Sequence, residues 1–116
     1  MLTLTCLTDL KNADLPPPVT LAARHELRTL LALSGGDTID TEFGHVLVLE
    51  ETDAPDVVAA LLQRPIEGAV HRHGCFVVYF AGGGNEHLPC AVLPEHLLTD
   101  EHRQRLLLEL TDGGAP

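Results

Sequence analysis

Apolar residues and threonines alternate at the start of the chain, with Leu2, Leu4 and Cys6 on one side of a period of two. This alternation predicts a first β-strand over residues 1–8 with one polar face. A second strand is predicted at residues 46–49, where a continuous Val-Leu-Val-Leu run is typical of a strand covered on both faces.

Between these strands, residues 20–33 place apolar side chains at helical spacing, and Arg24, His25 and Arg28 point elsewhere. Thr20 is the predicted N-cap, and the glycine pair that begins at Gly35 is the predicted end. The segment 14–18 ends in three consecutive prolines. Proline donates no backbone hydrogen bond, so the sequence predicts an extended, stiff link there.

Two further helices are predicted in the second half of the chain. One begins at Asp53, whose carboxylate can accept from free amides of the first turn, and runs to about Gln63. Its interior is apolar nearly all round, which implies burial on more than one side. The other begins at Thr99 or Asp100, packs inward through Leu106, Leu107 and Leu110, and leaves residues 111–116 as a frayed tail.

Residues 68–92 predict a three-stranded antiparallel meander. His73 and Gly74 are predicted to form a two-residue turn. Residues 82–85, Gly-Gly-Gly-Asn, are predicted to form a four-residue turn, because glycine and asparagine tolerate the positive φ that tight turns require. The first turn places Arg72 opposite Cys75, and the second places Val77 opposite Cys90. One sheet face then carries Val70, Cys75, Val77, Tyr79, Cys90 and Val92, and the other carries Ala69, Phe76, Val78, Phe80 and Ala91.

The predicted order β-α-β-α-β-β-β-α indicates a single α+β domain, 1–116, with a mixed sheet and two to three helices packed on it. The face with Phe76, Val78 and Phe80, edged by His71 and His87, holds most of the aromatic content of the chain. Such a face needs a cover. The sequence leaves two alternatives for this cover: one of the protein's own helices, or a second copy of the chain in a homodimer. A third alternative is that the face lines a small apolar pocket.

Charge excludes one class of function. The chain has 17 acidic against 7 basic residues, a formal net charge of −10, and this balance argues against direct nucleic-acid binding. No lysine or arginine lies between Arg28 and Arg64, and seven acids in this interval form a predicted docking surface for a basic protein partner, unless they only fill a solvated loop and helix start. They are Asp37, Asp40, Glu42, Glu50, Glu51, Asp53 and Asp56.

The three cysteines, Cys6, Cys75 and Cys90, lie in apolar surroundings and are odd in number, which indicates buried reduced thiols. No leader and no apolar segment long enough to span a bilayer is evident, so the expectation is a cytoplasmic protein away from membranes. Size and composition resemble those of small bacterial accessory proteins.

The histidines and cysteines of the meander are candidates for metal binding or catalysis. His71, His73 and His87, with Cys75 and Cys90, have ligand chemistry for zinc, but the predicted register points them to different faces and no metal-ligand spacing occurs. A nucleophilic cysteine is disfavoured for the same reason. The glycine-rich segments lack a phosphate-loop lysine. No cofactor is predicted.

Two hypotheses follow. The first is a non-enzymatic, acidic, homodimeric interaction protein that binds a basic protein through the seven acids. The second is a small ligand- or metal-binding protein or an enzyme that uses the histidine-rich edge of the meander.

Overall fold

In the described part of the chain, five strands form one sheet. The structure is a computed structural model and describes residues 1–35, 46–53, 55–81 and 90–110. The strands are β1 (Leu2–Leu4), β2 (Val46–Val48), β3 (Ile66–Arg72), β4 (Cys75–Phe80) and β5 (Cys90–Pro94). Their spatial order is β1-β2-β5-β4-β3. β2 and β5 pair in parallel and the other neighbours are antiparallel, so the sheet is mixed as predicted.

Within the described ranges, four α-helices cover the two faces of this sheet. They are α1 (Leu7–Asn12), α2 (Pro17–Ser34), α3 (Pro55–Leu62) and α4 (Asp100–Glu109), and a single 3-10 turn, Glu95–Leu97, precedes α4. The predicted α+β order is confirmed, with α1 as an additional helix. One core lies between the sheet and α1 with α2, and a second lies between the opposite face and α3 with α4.

The start of the chain differs from the prediction. β1 ends at Leu4 and α1 begins at Leu7, whereas a strand over 1–8 was expected. The Asp9 carboxylate accepts hydrogen bonds from both the N–H and the hydroxyl of Thr5, each at 3.0 Å. These bonds give the Thr5 N–H a local acceptor, so it needs no partner on a neighbouring strand. The chain turns into α1 at this point.

The proline run belongs to α2. Pro17 and Pro18 occupy its first turn, so only the residues before them form an extended link, and the helix starts before the predicted cap at Thr20. Proline is tolerated there because the first helical amides have no intrahelical acceptor. Gly35 ends the helix at φ 72° and donates its N–H to the Leu31 carbonyl, as the glycine pair predicts.

The first hairpin has the predicted register. His73 and Gly74 both adopt positive φ, 51° and 73°, and Arg72 lies opposite Cys75. The second register is displaced by two residues, because Val77 lies opposite Val92 and not opposite Cys90. A shift of two residues leaves every side chain on its predicted face. Residues 82–89, which include the predicted second turn, lie outside the described residues.

The aromatic face is covered from within the chain. Phe76, Val78 and Phe80 are almost fully buried in the core beneath α3 and α4. Of the two covers left open by the sequence, the structure therefore has the intramolecular one. Val58, Leu61 and Leu62 of α3 and Leu106 of α4 form one apolar cluster with these residues, so within this chain the three side chains face its own helices. Their assignment to an oligomer interface or a pocket stays a prediction.

The last helix is capped as expected and packs through fewer leucines than expected. The Thr99 hydroxyl accepts from the His102 N–H at 3.1 Å. Leu106 is buried and Leu110 is half-buried beside Ala69 on β3, but Leu107 is 47% exposed and does not join the core. No helix in the described ranges has both the length and the apolar character that crossing a bilayer requires.

Candidate functional site

A cleft of about 300 Å³ opens at the carboxyl ends of the parallel strands β2 and β5, where α2 begins. Ligands commonly bind outside the carboxyl ends of parallel strands, because the chain diverges there. We call this cleft the acidic cleft. Its lining residues are Asp14, Leu15, Pro16, Val19, Leu49, Glu50, Glu51, Thr52, Pro94, His96 and Leu97.

The acidic cleft has an apolar floor and a negative rim. Val19, Leu49 and Pro94 are buried, whereas Asp14 and Glu51 are exposed at the edge. Among the described residues that line the cleft, none is a lysine or an arginine. A cation placed at this rim would meet carboxylates on two sides, from the segment before α2 and from the turn after β2.

The N-terminus of α2 contributes little positive character to the cleft. The start of a helix usually offers free N–H groups to anions. Here Pro17 and Pro18 have no N–H, and the Thr20 N–H already donates to the Pro16 carbonyl at 3.0 Å. The prolines thus remove two of the first-turn donors that would otherwise favour an anion beside Asp14.

The turn that carries the rim acids is held by Asp53. This carboxylate accepts the Glu50 N–H at 2.7 Å and the α-ammonium of Met1 at 2.8 Å. The hydrogen bond from the ammonium is the main cause that lowers the pKa of Asp53, and the same bond raises the pKa of the ammonium. Asp53 therefore holds the turn at Glu50. The ammonium compensates most of the Asp53 charge and, because it also lies 3.7 Å from Oε1 of Glu50, part of the Glu50 charge.

The seven predicted surface acids separate into three groups. Glu50 and Glu51 lie on the cleft, and Asp53 lies behind them, where it bonds the turn and the chain terminus. Asp56 is exposed in the first turn of α3 and does not line the cleft. Asp37, Asp40 and Glu42 lie outside the described residues. Asp14, which the sequence interpretation did not include, joins the cleft from before α2.

The histidine-rich edge adjoins the same end of the sheet. Nε2 of His71 lies 3.2 Å from Oε2 of Glu95, and its ring meets Phe76 edge-on at 4.8 Å. A second cleft of about 470 Å³ includes His73, Cys75 and His96 and shares Pro94 with the acidic cleft. Within the described ranges, no three His, Cys, Asp or Glu side chains are grouped so as to hold a metal ion. His87 lies outside those ranges.

The two strand cysteines are poor nucleophiles. Burial, and then the charge of Glu95, raises the pKa of Cys75 to about 11, and burial raises the pKa of Cys90 well above its usual range. The Cys75 thiol donates to the His73 carbonyl at 3.7 Å. Because the thiolate is the reactive form, both side chains are inert near neutral pH.

Alkylation tests this assignment. In the folded chain at pH 8, iodoacetamide is expected to label the half-buried Cys6 and to leave Cys75 and Cys90 unlabelled, as read by peptide mass spectrometry. All three should label in urea. The raised pKa of Cys75 also means that its contribution to stability is present below pH 9 and is lost as pH rises through about 11. Rapid labelling of Cys75 in the native chain would contradict the assignment.

The sequence interpretation missed a buried polar group beneath α2. Glu26 is 4% exposed, its Oε1 accepts the Tyr79 hydroxyl at 2.8 Å, and Nε of Arg72 lies 3.9 Å away. Burial, with the charge of Glu26, raises the pKa of Tyr79. One sequence signal points to this group: Glu26 falls midway between Ala22 and Leu30 at spacings of four, on the apolar face of the helix.

The chain matches no protein-family model, no curated protein and no solved structure. Function is therefore inferred from the geometry and charge of the clefts.

Proposed function

We propose that this protein is a non-enzymatic interaction domain that binds a basic segment of a partner protein in the acidic cleft. The observation that carries the proposal is the pairing of an apolar floor with a rim whose described charged side chains, Asp14, Glu50 and Glu51, are all acidic. Binding surfaces of proteins typically combine an apolar centre with a charged edge that selects the partner.

Cation preference rests on three independent features. The rim is acidic, the prolines at the start of α2 remove amide donors that would attract anions, and the whole chain carries a formal charge of −10. A large negative field raises the association rate of a basic partner, and the local rim then orients it. A basic segment also loses affinity with salt, which gives the proposal a simple signature.

The size of the cleft limits what enters it. A volume of about 300 Å³ is at the lower end of the range of small-molecule pockets, so one or two apolar side chains fill the floor between Leu49 and Leu97. The expected ligand is therefore a peptide segment with an apolar anchor between lysines or arginines. Anchors of this kind supply most of the binding energy, and the flanking charges supply selectivity.

The acid rim is tested with the double variant Asp14→Asn/Glu51→Gln. Both side chains are exposed, so the change removes charge at the cleft with little effect on the core. For a fluorescein-labelled peptide with one leucine between pairs of lysines, we expect Kd to rise about tenfold by fluorescence anisotropy. A peptide with glutamines for lysines should bind weakly to the native chain.

The matched control is Glu67→Gln/Glu101→Gln, which makes the same change in net charge at exposed acids outside the cleft. It should alter Kd by no more than about twofold. Equal losses in the two double variants would show that only net charge attracts the peptide, and the cleft would not be its site. Binding that does not weaken with salt would contradict the basic-segment proposal directly.

The cytoplasmic location and the homodimer inferred from the sequence belong to the same proposal. Reduced, buried thiols at Cys75 and Cys90 support the first. A dimer would have to use a surface other than Phe76, Val78 and Phe80, since these side chains are buried within one chain.

A further inference from the structure

A third concave surface, after the two clefts at the end of the sheet, lies along the outer side of α2. It is a shallow trough of about 710 Å³ between that helix and the turn of the first hairpin. We call it the α2 trough. Its lining residues are Leu21, Arg24, His25, Arg28, Thr29, Ala32 and His73.

The spacing of these residues makes the trough a straight groove. From Leu21 to Ala32 they recur at intervals of three and four, so they form one stripe on the helix, about 16 Å long at 1.5 Å per residue. The Thr29 hydroxyl donates to the His25 carbonyl at 3.0 Å and so is occupied by its own helix. The side chains open to a partner are thus the two arginines, the histidines and Leu21.

The charge of the α2 trough is opposite to that of the molecule. Every charged side chain among its described lining residues is basic, although acids outnumber bases 17 to 7 in the chain. Arg24 and Arg28 have neither a hydrogen bond nor an ion pair with any described residue. Each of the other four arginines has a partner: Arg64 lies over the Phe80 ring, Arg72 lies near Glu26, Arg103 bonds Asp100, and Arg105 bonds Glu109.

Arg24 and Arg28 are exposed and have no partner among the described residues, so carboxylates of a second protein can form charge-assisted, bidentate hydrogen bonds with both. The two arginines lie four residues apart, which matches the i, i+4 spacing of carboxylates on a second helix laid alongside. Leu21, 45% exposed at one end of the trough, adds an apolar contact that a helix can cover. The trough is therefore complementary to an acidic amphipathic helix.

We propose that the α2 trough binds an acidic amphipathic helix of a partner protein, a second interaction of opposite charge to the one at the acidic cleft. A nucleic acid fits the same arginines less well. A long polyanion would be repelled by the net charge of −10, and its phosphates would make no use of Leu21. A short helix contacts the stripe alone. This inference does not depend on the function proposed for the cleft.

The test compares Arg24→Glu and Arg28→Glu with Lys11→Glu, an equal charge change at an exposed base on α1. The probe is a fluorescein-labelled helical peptide of roughly 18 residues, with glutamates at i and i+4 and leucines on the adjoining face. Each trough variant should raise Kd about tenfold, and Lys11→Glu no more than about twofold. Circular dichroism and the thermal midpoint establish that all three variants fold.

Three results would overturn the inference. The first is no binding of the peptide to the native chain at moderate salt. The second is an equal loss of affinity in all three variants, and the third is competition by a single-stranded oligonucleotide of the same charge that equals competition by the unlabelled peptide. A further variant, Leu21→Gln, should weaken the helical peptide about threefold and leave the weak binding of the oligonucleotide unchanged. Loss of both would also count against a helix as the occupant.

Discussion

Replacing Phe76 by alanine is expected to lower the free energy of unfolding by about 3–5 kcal/mol. Phe76 is 1% exposed in the core beneath α3 and α4, and among the described residues of that apolar cluster Phe80 is the only other phenylalanine. The loss combines the transfer of the ring to water with the cavity it leaves, since the surrounding helices relax only partly. Urea unfolding followed by circular dichroism measures the change.

Leu108→Ala is the matched control for this experiment. Leu108 is 84% exposed on α4, so its truncation should cost less than about 0.5 kcal/mol. A cost below about 1 kcal/mol for Phe76→Ala would mean that the helices do not cover this face in solution. The aromatic face would then become available again for a second copy of the chain.

The second large effect is expected at the buried group beneath α2. Tyr79→Phe should cost about 2–3 kcal/mol, although only one oxygen atom is removed. The hydroxyl is the hydrogen-bond donor at 2.8 Å to Glu26, and without it a carboxylate that is 4% exposed keeps only Arg72 at 3.9 Å. A buried acceptor without a donor retains its full desolvation cost.

The double variant Glu26→Leu/Tyr79→Phe separates this mechanism from simple loss of packing. Removing the carboxylate and the hydroxyl together leaves one buried polar atom, Nε of Arg72, which has no described hydrogen-bond partner in the native chain either and belongs to a side chain that is 38% exposed. The stability of the double variant should therefore return to within about 1 kcal/mol of the native chain. Equal or greater destabilisation in the double variant would show that the carboxylate has a favourable role beyond its bond to Tyr79. The same urea experiment measures both variants.

Local features of the sequence account for the parts of the fold that were predicted well. The first hairpin depends on two adjacent residues that tolerate positive φ, and the register from Arg72 to Val70 follows from that turn alone. The second register was predicted from a four-residue turn at 82–85, outside the described residues, and the observed pairing differs from the predicted one by two residues. The described strand residues still lie on their predicted sheet faces after this shift, because side chains alternate between the two faces with a period of two residues.

The candidate site was predicted only in part. Glu50 and Glu51 were expected on an acidic surface, and they line the acidic cleft. The contribution of Asp14 and the role of Asp53 were not foreseen, because both depend on segments distant in sequence: Asp14 meets the end of β5 across the cleft, and Asp53 meets the α-ammonium of Met1. The spacing of residues along the chain does not show which distant segments come into contact in the fold.

By itself, the sequence determined the α+β class, the order of the main elements, the two faces of the meander and the strong negative charge. These follow from periods of two and 3.6 residues, from turn residues and from composition, all of which are local or additive. Three features depend on the packing of distant segments: α3 and α4 cover Phe76 and Phe80, Glu26 pairs with Tyr79, and Arg24 and Arg28 of the α2 trough have no partner among the described residues. These outcomes depend on which distant segments share one core, since burial and charge pairing arise from packing in three dimensions.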